Sequence, residues 1–113
     1  MSEDKQGSRL KVGEIASAII DGSMRPLLGA RMLMPYLHIL EKEVDPNIFR
    51  LVLSVNSESD ALPIGPERKH WSPKALTEKD ERANAYELKV CTQLLKAAEY
   101  LASRFPKHSS SLP

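Results

Sequence analysis

Three prolines, Pro26, Pro46 and Pro73, constrain the fold of this chain more than any other feature. Proline lacks the amide hydrogen that a helix interior needs, yet its fixed φ suits a first helical turn. Each of the three stands at the head of a stretch whose apolar residues recur at helical spacing, so each marks a helix start. Asp45 and Ser72 come directly before Pro46 and Pro73, where a side-chain oxygen can accept first-turn amides. Pro106 closes the last stretch, because the residue before a proline is pushed out of the helical region.

Ahead of Pro26, the apolar positions Val12, Ile15, Ala16, Ile19 and Ile20 follow Leu10 at helical spacing, and Gly22 stands where a helix end accepts positive φ. Between Pro26 and Lys42, apolar residues cover most of a helical circumference and leave Arg31, Pro35, His38 and Lys42 on one narrow stripe. Such a helix is central, with protein on most sides, and Pro35 is expected to kink or divide it. After Pro46, the residues Ile48, Phe49, Leu51, Val52, Leu53 and Val55 form a broad apolar helical face. The same residues also alternate as a strand. Helix is preferred because no other segment offers a partner strand, and an unpaired strand leaves its backbone groups unsatisfied. The last helix runs from Pro73 or Thr77 to about Phe105, with Val90, Cys91, Leu94, Leu95, Ala98, Leu101, Ala102 and Phe105 on one face. Its charged opening, Thr77 to Arg82, is expected to project into solvent. The reading is all-α: a small bundle of about four helices with one long charged loop. It comprises a polar leader over 1–9, a single helical domain over 10–106 and a mobile tail over 107–113.

A chain of 113 residues has room for one modest core, so any binding site shares the scaffold that folds it. Sixteen basic against fifteen acidic residues give a net charge of +1, which exerts no general pull on nucleic acid. The single cysteine, Cys91, has no internal disulfide partner and falls in an apolar pattern, where packing is the expected role. The polar start carries no secretory pattern, and the apolar stretch around Leu27 to Leu40 is interrupted and too short to span a bilayer. The expectation is a cytoplasmic protein with no membrane partner.

The segment Asn56 to Pro73 concentrates acid, base, proline and the only tryptophan. Glu58 and Asp60 do not make a catalytic pair, since general acid–base work needs a shaped pocket and separated pKa values. No glycines of a nucleophile elbow flank a serine, no glycine-rich phosphate loop is present, and His38, His70 and His108 lack metal-ligand spacing. The chain is therefore read as a non-enzyme without cofactor or metal. Arg68, Lys69 and His70 beside Trp71 could serve a single nucleic-acid strand, but Glu58, Asp60 and Glu67 oppose that field. A protein-binding surface fits better: tryptophan and arginine are enriched at hot spots, and Pro63, Pro66 and Pro73 limit the entropy lost on binding. The candidate partner-binding residues are Glu58, Asp60, Glu67, Arg68, His70 and Trp71. In the competing reading, Trp71 plugs the core while Arg31 and Arg68 pair with Glu58 and Asp60 to pin the loop. An anion site at Arg31 and His38, two turns apart on one face, is a further alternative. The apolar face of the last helix also leaves a homodimer open.

The residues from Ser57 to Leu76, S-E-S-D-A-L-P-I-G-P-E-R-K-H-W-S-P-K-A-L, with Gly29-Ala30-Arg31 upstream, are similar to a little-characterised family of small bacterial cytosolic proteins. The resemblance covers about Ile15 to Ala102, with the loop as its distinctive part. It implies a role as an immunity protein that binds and masks a secreted toxin in the producing cell, and it brings no catalytic residues with it.

Overall fold

The computed structural model describes residues 2–106, with side chains from Lys5 onward. Four α-helices and no strand occur among the described residues: α1 (Ser2–Asp21), α2 (Pro26–Ile39), α3 (Pro46–Glu58) and α4 (Pro73–Arg104). Pro26, Pro46 and Pro73 each open a helix, and the Pro46 segment is helix rather than strand. Short 3₁₀ turns follow α2 at Glu41–Glu43 and precede α4 at Pro66–His70.

The caps explain where the helices begin. Asp45 accepts the Asn47 amide at 2.8 Å, and Ser72 accepts that of Ala75 at 3.2 Å. No side chain of its own neighbourhood caps α2; instead Glu87 of α4 accepts the Leu27 amide at 3.1 Å. The same carboxylate takes Arg25 Nε at 3.0 Å on each oxygen, so the start of α2 is fixed by tertiary structure. Pro35 lies exposed within α2, which runs on as one helix instead of dividing.

Helix α1 packs on α2 and α4, while α2 touches α1, α3 and α4 and is the central element expected of it. At 32 residues, α4 is about 48 Å long and sets the long axis of a molecule measuring 51 × 27 × 25 Å. All four helices feed one core, including Val12, Leu27, Leu37, Val52, Val55 and Leu101, each no more than 2% exposed. Gly29 permits the close approach of α1 and α2, since a Cβ there would stand 2.3 Å from Ile19 Cδ1.

One expectation needs correcting. The leader read over 1–9 is not separate from the domain, because α1 starts at Ser2, Ser8 is buried and Arg9 grips Glu43 through two 2.8 Å hydrogen bonds. A polar sequence is drawn into helix here by partners far along the chain. The opening of α4 faces solvent largely as expected, with Thr77, Glu78, Glu81 and Arg82 exposed, while Asp80 is half-buried and receives Arg68 from the loop. The tail expected over 107–113 lies outside the described residues.

Candidate functional site

The loop between α3 and α4 is built inward from four buried residues, Ser59, Pro63, Ile64 and Gly65. The Ser59 amide and hydroxyl both return to the Val55 carbonyl, at 3.0 and 2.8 Å, ending α3. The Ile64 amide then reaches the Leu62 carbonyl at 2.9 Å, a three-residue turn centred on Pro63, whose fixed φ suits that geometry.

Two arginines lock this path. Arg31 of α2 pairs with Glu67 and donates to the carbonyls of Ser59 at 3.1 Å and Leu62 at 3.4 Å. Glu67 also accepts the amides of Gly65 at 3.0 Å and Ile64 at 3.2 Å. The Gly65 amide is the largest of the influences on this carboxyl, and with the Glu67 amide and Arg31 it outweighs desolvation and holds the group at about 2. Arg68 donates to the Pro63 carbonyl at 2.9 Å and engages both oxygens of Asp80 on α4. The hydrogen bond from Arg68 is the main reason the Asp80 carboxyl falls below its usual range, and Asp80 in turn raises Arg68.

The pinned-loop reading thus has the right arginines and the wrong acids. Arg31 and Arg68 pair with Glu67 and Asp80, not with Glu58 and Asp60. Six residues were candidates for partner contact, and the fold sorts them. Glu67 and Arg68 are engaged within the chain. Glu58, at the exposed end of α3, faces the Tyr86 phenol, which burial chiefly, and the hydrogen bond to Glu58 next, push up to about 12. Asp60 and His70 are exposed and, like the neighbouring Lys69, make no side-chain hydrogen bond or ion pair among the described residues. Trp71 is partly exposed, between the 3₁₀ turn and the Ser72 cap, with its amide held by the Arg68 carbonyl at 3.1 Å.

No family model, curated protein or solved structure matches this chain. Its chemistry rests on its own residues. Arg31 and His38 do not form one anion pocket: Arg31 is engaged by Glu67 and by the Ser59 and Leu62 carbonyls at the α3 end of the loop, while His38 stands edge-on to Phe49 near the start of α3, with ring centroids 5.3 Å apart. Among the described residues no group of three His, Cys, Asp or Glu side chains could hold a metal ion, and no helix is long and apolar enough to cross a membrane. Cys91, expected in the core, is only partly buried and lies beside Leu88 on α4.

Sequence reasoning missed one surface altogether. Ile39 and Leu53, assigned to apolar faces, are 44% and 37% exposed, and with Phe49 they line an open groove between α2 and α3. The available signal was the excess of apolar residues on α3, six within eight positions, more than one side of a helix can bury.

Proposed function

We propose that this chain is a non-enzymatic protein-binding module that presents its proline-braced loop to a partner protein. One observation carries the reading: the only tryptophan stays partly exposed on a loop whose inward charges, Glu67 and Arg68, are engaged by α2 and α4. A loop fixed in this way loses little conformational entropy when it binds. A rigid aromatic flanked by uncommitted Lys69 and His70, with Asp60 on the same loop, has the composition of an interface hot spot and its polar rim.

The partner class follows from the resemblance of the loop to small bacterial proteins. In this proposal the partner is a secreted toxin, and the chain is its immunity protein, acting in the cytoplasm by occlusion through shape and charge. A nucleic-acid role is disfavoured because Arg68, the strongest cation of the loop, is committed to Asp80. An anion-binding role is disfavoured because an anion at Arg31 would have to displace Glu67.

The sole tryptophan is also the reporter. The product of the neighbouring gene, titrated into the intact chain, is expected to shift Trp71 emission, and Trp71→Ala with His70→Ala is expected to weaken capture in a pull-down at unchanged helicity. Equal capture by the variant and the intact chain would remove the loop from the interface.

A further inference from the structure

The α2–α3 pair carries a second surface at the end away from the loop. Ile39, Phe49 and Leu53 line an open groove of about 660 Å³ formed by the last turn of α2, the following 3₁₀ turn and α3 from Pro46 to Leu53, with Lys5 of α1 at its edge. His38 meets the Phe49 ring at an interplanar angle of 80°, which fixes that ring as one wall. Exposed apolar residues scattered singly are ordinary; here exposed Ile39 and Leu53 share one concavity with the half-buried Phe49 ring, a patch that asks for an occupant.

The rim gives the occupant a sign. Lys5, Lys42 and Arg50 contribute three cations, against the two carboxylates of Glu41 and Glu43. Glu43 is already clamped by Arg9 through both of its oxygens at 2.8 Å, and Arg9 lies outside the groove lining. Three cations therefore surround an apolar floor with Glu41 as the one carboxylate not clamped by an arginine. Arg50 donates to Asn47 Oδ1 at 2.6 Å through one nitrogen, and its other nitrogens keep donors for a ligand.

We propose that this groove docks an acidic amphipathic helix of a protein partner. Apolar side chains on one helical stripe would meet Ile39, Phe49 and Leu53, while flanking carboxylates would meet Lys5, Lys42 and Arg50. The floor disfavours a bare anion, and the rim disfavours a basic helix. The groove lies where α3 begins and the Trp71 loop leaves where α3 ends, so this inference stands independently of the role of the loop.

A display library tests it, built from helical peptides of about 16 residues with a leucine stripe and Glu, Gln or Lys at the flanking positions, selected against the full chain. Glutamate-rich peptides are expected to enrich and to shift the amide signals of Ile39, Phe49 and Leu53. Lys42→Glu with Arg50→Glu is expected to weaken the selected peptide about tenfold and flatten its salt dependence. Leu53→Asp is expected to weaken it at least as much, with Ile39→Glu as a second test of the floor should the first variant lose helicity. Lys96→Glu on α4 should change nothing. Absent enrichment, enrichment of lysine-rich peptides, or binding indifferent to both floor variants would overturn the proposal. So would phosphatidylserine vesicles binding the chain with the same dependence on Leu53, since the groove would then belong to a lipid surface.

Discussion

The carboxylate of Glu67 decides whether the loop is rigid, and its pH dependence exposes that role. Glu67→Gln keeps an oxygen that can accept the Ile64 and Gly65 amides, at 3.2 and 3.0 Å in the parent, but removes the charge that Arg31 grips. A carboxyl taken from 4.5 to about 2 contributes at most roughly 3.4 kcal/mol at neutral pH. Because 40% of the Glu67 side chain is exposed, solvent screening reduces this to about 1–2 kcal/mol. For a domain of this size that is a fall in Tm of roughly 4–10 °C.

The sign follows from the lowered value. The folded state holds the proton less tightly than the unfolded chain, so the stability from Glu67 is fully present above about 4.5 and is lost as the pH falls toward about 2. Other carboxyls titrate over the same range, so the quantity to measure is the difference between the parent and Glu67→Gln. Urea unfolding followed by circular dichroism at several pH values from neutrality down to about 2.5 gives that difference directly. It is expected to be about 1–2 kcal/mol at pH 7 and to shrink toward zero at the acid end. A difference that is negligible at pH 7, or that stays constant across the series, would refute the claim that this ion pair braces the loop. Trp71 emission recorded in the same samples links stability to the proposed function, since an unbraced loop should leave the indole more open to quenching by iodide.

Three further outcomes are expected. Gly29→Ala should destabilise by about 1–2 kcal/mol in spite of the better helix former, because its Cβ would meet Ile19 Cδ1 at 2.3 Å; adding Ile19→Val, which removes that atom, should recover part of the loss in a double-mutant cycle. Ser72→Ala removes the side-chain cap of α4 and should lower stability by about 1 kcal/mol in urea titrations, with no change in overall helicity. In an ultraviolet titration Tyr86 should ionise late, near 12, and the delay should shorten in Glu58→Gln, though burial keeps most of it.

Much of the fold is legible in the sequence because its signals are local. Asp45-Pro46 and Ser72-Pro73 announce helix starts within two or three residues of the amides they serve, and the observed boundaries agree. The choice of helix over strand for the Pro46 segment is settled by packing: Val52 and Val55, three apart, share the buried side, as a strand would not allow. Residues 2–9 escape this logic. No apolar period marks them, and their helix gains support from the burial of Ser8 and from Glu43, 34 residues beyond Arg9.

Charge pairing is the least legible feature, and the reason bears on function. Arg31 lies 36 residues from Glu67, and both Glu58 and Asp60 are nearer in sequence, so proximity along the chain favours the wrong partners. What selects Glu67 is the turn at Pro63, which aims the amides of Ile64 and Gly65 at one point and makes a local anion site into which the carboxylate folds back. Arg31 then completes a site that the backbone has already prepared. Loops have no period to separate an inner from an outer face, so only this turn tells that Glu67 and Arg68 point inward while Asp60, Lys69 and His70 are left to solvent. The candidate interface is thus the remainder after folding has taken the charges it needs, which a list of loop residues read in order cannot show.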